Sequence, residues 1–219
     1  MSITLGSDNL PTYGDKSRKD WRRNCRQLMA TLPEEQKARY TEAIAARLES
    51  FVVQSGTKTI AVYWPIHDEP KLLPLWEFLR EKGFQLALPR VLAKGQALLF
   101  SIWQDDSLLV INQWGIAELD APAMALQDIE LMVMPCVGYW ASGYRLGYGG
   151  GFYDRTLAHW RNLPLNAGNK RIALGLAYSE CALPEALALL STDQRCDVII
   201  TPDHIIHSDT TMGDSSTRV

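Results

Sequence analysis

Residues 143–157 read GYRLGYGGGFYDRTL, a stretch in which glycines alternate with arginines, tyrosines and an aspartate. Backbone without Cβ atoms lets N–H groups come close to an anion, and a helix starting just after it adds its positive N-terminal end. Arg145 and Arg155 supply guanidinium forks suited to phosphate oxygens. Asp154 supplies a hard carboxylate of the kind that holds Mg²⁺ beside nucleotide phosphates. The chemistry indicated is phosphate binding. Two common phosphate motifs are nevertheless missing. GxxxxGK[ST] fails because no lysine follows these glycines, and GxGxxG fails because Gly147 and Gly149 would call for glycine where Phe152 stands. A tight turn whose aromatic side chains pack on the core is the competing reading.

Such a loop works only if a strand leads into it and a helix leads out. IELMVMPCVGY (129–139) is an apolar run of strand character, and FYDRTLAHWRNL (152–163) reads as a helix. The rest of the chain repeats this alternation. Residues 16–53 read as two helices divided at Pro33, the second with Glu34 and Glu35 in its first turn. Strands are expected at 59–66, 84–91, 97–103, 171–179 and 196–201, and helices at 71–83, stopped by Gly83, and at 184–192. Residues 104–127 read as a looser segment. The pattern predicts an α/β protein: three layers, with a mostly parallel central sheet flanked by helices. One domain is expected over 16–202, with flexible polar tails at 1–15 and 208–219.

Composition narrows the function classes. With 219 residues and a net charge of −3, the chain has no general attraction for nucleic acid or an anionic membrane, so an anionic ligand needs a local patch. No apolar run approaches the length of a membrane span, and the N-terminus lacks the apolar core of a signal peptide. Cys25, Cys136, Cys181 and Cys196 are far apart and form no CxxC pair, which fits reduced core thiols in a cytoplasmic protein. His204 and His207 read as surface residues, since no third ligand accompanies them.

The stretch YRLGYGGGFYDR, with Gly143 just before it, strongly resembles the signature of the 5-formyltetrahydrofolate cyclo-ligase family, in Gly143, Arg145, Leu146, Gly147, Gly149, Gly151, Phe152, Tyr153 and Asp154. The resemblance extends from about residue 16 to 202. RKDWRR (18–23) is similar to the family's basic first helix, in the register Arg18 with Arg22 or Lys19 with Arg23. Glu69 follows the aromatic pair Tyr63–Trp64 as the family's loop glutamate does, and ALPRV, GLAY, Leu183–Pro184 and Asp193 match further positions. Pro70–Lys71 and Tyr139–Trp140 depart from the family pattern, the first pair beside the folate loop.

The resemblance implies an enzyme that couples ATP hydrolysis to closure of 5-formyltetrahydrofolate, giving 5,10-methenyltetrahydrofolate. It implies that Arg18, Lys19, Arg22 or Arg23 reach ATP phosphates. The segment Arg145, Leu146, Gly147, Tyr148, Gly149, Gly150, Gly151, Phe152 and Tyr153 would hold the nucleotide, with Arg145 and Tyr153 catalytic. Asp154 and Asp193 would hold Mg²⁺. Glu69 would bind the pterin N–H groups, and Trp64, Tyr148 and Phe152 would pack around the ring. ATP, Mg²⁺ and the folate are the expected ligands, without nucleic acid or membrane, and the expected active unit is a monomer. A binding protein of the same fold that has lost turnover, and an ATP-dependent enzyme for another N-formyl or amide substrate, are the alternatives.

Overall fold

The computed structural model describes residues 17–165 and 170–208. Its first helix begins where the sequence supplies a cap. The Ser17 hydroxyl accepts from the Asp20 N–H while the Asp20 carboxylate takes the Ser17 N–H, a reciprocal capping box that starts α1, Arg18–Thr31. α2, Glu34–Ser55, follows Pro33 and ends on Gly56 in the left-handed region. Then come β1 (Thr59–Ala61), α3 (Leu73–Glu81), β2 (Gln85–Arg90) and β3 (Leu99–Ile102). After β4 (Leu109–Ile111) and β5 (Ala117–Leu119), β6 (Leu131–Pro135) leads into the short ribbon of β7 (Gly138–Tyr139) and β8 (Arg145–Leu146). α4 (Phe152–Asn162), β9 (Ile172–Leu176), β10 (Val198–Ile200) and β11 (Ile205–His207) complete the chain.

Seven strands form one sheet in the order β11-β10-β9-β6-β1-β2-β3. The five inner strands are parallel, and an antiparallel strand closes each edge. The inner strands are apolar on both faces, as strands covered on both sides must be. Along β6, Leu131 and Val133 face the core beneath α1, α2 and α3, while Met132 and Met134 face the core beneath α4. The expected three-layer α/β architecture is the one observed.

Three local expectations differ. The run 59–66 is a strand only to Ala61; the Val62 N–H still reaches the Ala87 carbonyl, and Pro65 beyond it has no N–H to pair. Residues 104–127 hold the β4–β5 hairpin, turned by Asn112, whose side-chain oxygen accepts from the Trp114 and Ile116 N–H groups. Residues 184–192 form turns instead of a helix. There the Asp193 carboxylate takes the Leu190 N–H and so competes with helical pairing. The expected tails lie outside the described residues except for Ser208, whose hydroxyl donates to the Cys196 carbonyl. All four cysteines are buried and free, as core fillers should be. His204 and His207 are exposed at the edge strand. No described helix is long and apolar enough to cross a membrane.

The strand order places a topological switch between β1 and β6. From β1 the chain crosses over to β2 on one side, and from β6 to β9 on the other. The loops leaving these two strand ends therefore diverge and leave a crevice, where open parallel sheets bind ligands.

Candidate active site

The crevice is a cleft of about 790 Å³ whose walls come from both loops. One wall is the glycine stretch, carried by the β7–β8 ribbon into the N-terminus of α4. Gly151 caps that helix in the left-handed region with no side-chain cap, so the first-turn N–H groups are left for a ligand. Gly149 has φ 102°, and a Cβ there would stand 3.5 Å from the Arg22 guanidinium carbon. Glycine is required at 149 by the backbone angle, while the space above Arg22 would admit a Cβ at ordinary contact distance.

The arginines are locked into this wall. Arg22 Nε donates to the Gly147 carbonyl at 2.8 Å. Arg145 is buried; its Nη2 donates to Asp154 Oδ1 at 3.1 Å, and its guanidinium lies over the Tyr153 ring. Arg18 grips Asp193 with both terminal nitrogens and lies over the Trp140 ring, 5.4 Å from its centroid. Arg18 and Arg22 line the cleft, whereas Lys19 and Arg23 are exposed on the far side of α1, Arg23 paired with Asp20. Leu146 is fully buried behind the loop and contributes its backbone carbonyl to Val137.

The other wall comes from the loop after β1. Trp64 lines it, packed against Trp103. Glu69 is almost wholly buried: Oε2 accepts the Ile66 N–H at 2.9 Å, and Oε1 makes no hydrogen bond of good geometry, although the Tyr148 hydroxyl lies near the carboxylate. Burial pushes its carboxyl up to about 7; the Ile66 N–H and, more weakly, the nearby Tyr148 hydroxyl favour the charged form without restoring the ordinary value. Burial also raises the Tyr148 and Tyr153 hydroxyls well above the ordinary phenol, with the Glu69 charge adding to it. Both phenols are protonated at neutral pH. Tyr148 and Phe152 complete the lining between the two walls.

Buried polar groups without partners are few in folded proteins, and each calls for an explanation. Five side-chain atoms are in that state among the described residues, and three of them, Arg18 Nε, Arg145 Nε and Glu69 Oε1, belong to residues lining this cleft. The two unmatched donors sit on the glycine-loop side, and the unmatched acceptor sits opposite. The site is thus prepared for an anion at one end and for an N–H-bearing group at the other.

Residues 15–202 match the 5-formyltetrahydrofolate cyclo-ligase family. The chain belongs to this family. It is 32% identical over 185 residues to the 5-formyltetrahydrofolate cyclo-ligase of Escherichia coli K12, covering 82% of this chain and 97% of that one. The Haemophilus influenzae cyclo-ligase is 29% identical over 177 residues, 78% of this chain and 90% of its own. Among solved structures, the 5,10-methenyltetrahydrofolate synthetase of Aquifex aeolicus superposes with a TM-score of 0.74 at 26% identity, covering 91% of this chain and 96% of that one.

Sequence reasoning missed several contributors to this cyclo-ligase-family site. Trp140, noted only as a departure from the family pattern, is the platform under Arg18. Glu118 lines the cleft from the unforeseen hairpin and fixes the Val91 N–H. Arg26 does not line the cleft itself but lies over the ring of Tyr148, which does, and it repeats the spacing of Arg18 and Arg22, a period of four that the sequence displays openly.

Proposed function

We propose that this protein converts 5-formyltetrahydrofolate and ATP to 5,10-methenyltetrahydrofolate, ADP and phosphate. The observation that carries the reading is the set of unmatched polar atoms: arginine donors on the glycine-loop wall and the Glu69 acceptor opposite, in one cleft. The nucleotide phosphates lie along the loop 147–151, between the α4 N-terminus and Arg22. The pterin lies toward Glu69, with Trp64, Tyr148 and Phe152 around it.

A formyl oxygen is a poor leaving group until it carries phosphate. The formyl oxygen attacks the γ-phosphorus as the bond to ADP breaks. The N10 lone pair then attacks the formyl carbon, N10 loses its proton, and the C–O bond breaks to release phosphate. Catalysis here is positioning and charge neutralisation. Arg145 does the second, its Nε left without a hydrogen-bond partner among the described residues and its guanidinium held over the Tyr153 ring. Glu69 accepts pterin N–H groups, which favour its ionised state over the half-protonated one near neutral pH.

Among the described residues no three acidic, histidine or cysteine side chains gather into a metal cage. The donors do fit Mg²⁺ that arrives already bound to the nucleotide, since Mg²⁺ keeps several waters and needs one or two carboxylates. Asp154 has one oxygen that takes no hydrogen bond among the described residues. Asp193 serves with it when Arg18 turns to the phosphates. Mg²⁺ supplies charge neutralisation on the phosphoryl oxygens. The active unit is one chain, since both walls of the cleft come from it. Four unbridged thiols suit a reducing cytoplasm.

The test is absorbance at the methenyl product's band after mixing protein, ATP, Mg²⁺ and 5-formyltetrahydrofolate, with phosphate release followed in parallel. Product and phosphate in equal amounts are expected. Binding of both ligands without either product would show a binding protein instead.

A further inference from the structure

Arg18 and Arg22 are the first two of three arginines at the same spacing. Four residues advance a helix by about 6 Å and return nearly to the same face. The stripe Arg18, Arg22, Arg26 therefore runs about 12 Å along α1, from the Asp193 end of the cleft towards Tyr148. The first two arginines have partners within the site. Arg26 is exposed and has no acidic partner among the described residues. Its guanidinium lies over the Tyr148 ring, 5.8 Å from the centroid. The His67 ring packs against that same tyrosine at 5.7 Å. Stacking holds the guanidinium plane in place and leaves its in-plane N–H donors free, the arrangement that grips a carboxylate with two bonds.

Tyr148 lines the main cleft and packs on His67, which lines a smaller cavity of about 330 Å³; Glu69 lines both, so the two cavities share a rim there. In the smaller cavity Lys37 is already matched by Glu34 and Asp68, whereas Lys71 is exposed and forms no ion pair among the described residues. The unmatched positive charge at this rim thus rests on Arg26 and Lys71.

We propose that this rim, with Arg26 as its principal contact, is the subsite for the carboxylates of the glutamate tail of the substrate. The inference rests on the cyclo-ligase reading above and sharpens it. A pterin held by Glu69 and Tyr148 must send its benzoylglutamate out past the rim of the cleft. The carboxylates there are the only anionic groups of the folate. A chain of net charge −3 draws them by no general field, so a local cation must do it. Arg26 is a specificity residue that selects glutamate-bearing folates.

The experiment compares KM for 5-formyltetrahydrofolate with KM for 5-formyltetrahydropteroate, which lacks the glutamate, at saturating ATP. Parent, Arg26→Gln and Arg26→Lys are measured, with melting curves as a check on folding. Arg26→Gln should raise KM for the glutamate-bearing substrate about tenfold, the lower end for a charged hydrogen-bond pair. KM for the pteroate and for ATP should stay within about twofold, and Arg26→Lys should fall between, keeping the charge without the fork. An equal rise in KM for both folates, or no rise for either, would overturn the subsite. Failure of the parent to close either substrate would overturn the cyclo-ligase reading itself, and the subsite with it.

Discussion

Glu69→Gln separates the two things that the buried carboxylate does. Its carboxyl is raised from 4.5 to about 7, chiefly by burial. Below pH 4.5 it is protonated in both folded and unfolded chains, and stability owes it nothing. As the pH rises through the interval to 7, the unfolded chain ionises while the folded one resists, so folded stability falls. Above pH 7 the loss is complete, at about 3 kcal/mol. The side chain is 3% exposed, so solvent screening does not dilute it much. Glutamine keeps an oxygen for the Ile66 N–H and removes the ionisation. The variant should match the parent near pH 4 and be more stable at pH 8 by about 3 kcal/mol, or about 6–12 °C in melting temperature for a chain of this size. The same change should weaken 5-formyltetrahydrofolate about ten- to hundredfold, the cost of losing a charged acceptor. Melting curves across pH 4–8 and folate titrations decide it. A stability difference that does not grow with pH would refute the burial argument, and unchanged folate affinity would place the pterin elsewhere.

Gly149→Val places a Cβ beside the Arg22 guanidinium at a backbone angle valine resists. ATP affinity should fall at least tenfold while far-ultraviolet circular dichroism stays native. Arg22→Gln removes the donor to the Gly147 carbonyl and a cation from the phosphate wall; KM for ATP should rise about tenfold with KM for folate little changed. Asp154→Asn keeps an oxygen for Arg145 and the Gln194 N–H but loses the charge. Turnover should fall steeply and recover in part at high Mg²⁺, with stability within about 1–2 kcal/mol of the parent. Identical Mg²⁺ midpoints for variant and parent would show that the carboxylate only positions Arg145.

Legibility from the sequence followed the strength of local signals. The parallel strands announce themselves as uninterrupted apolar runs, because both faces of β6 and β9 are covered. α1 and α2 carry caps that depend on near neighbours alone. The hairpin of β4 and β5 was missed although LLVI, NQWG and IAEL carry strand and turn signals, because the exposed Leu109, Val110 and Ile111 show no alternation. The helix expected at 184–192 failed for a non-local reason. Asp193 is drawn to Arg18 across the fold and reaches back to Leu190, which no window of that segment reveals. In the site, the glycine wall was readable residue by residue. The choice of Arg18 and Arg22 over Lys19 and Arg23 was not, since it depends on which side of α1 meets the sheet. Trp140 read as a departure from the family, yet its ring is the surface on which Arg18 rests.

The bond between Arg18 and Asp193 joins residues 175 positions apart, and that between Arg22 and the Gly147 carbonyl joins residues 125 apart. α1 is therefore among the last elements able to take its final place, although it precedes its partners in the chain. Such non-local closures are slow to form, and a chain still being made holds α1 with its arginines unmatched. The cleft wall proposed to hold the nucleotide is complete only when nearly every residue from 18 to 193 is in place. Nucleotide captured during refolding would thus report completion of the whole fold, and a chain cut short before Asp193 would retain much of the sheet and none of the finished cradle.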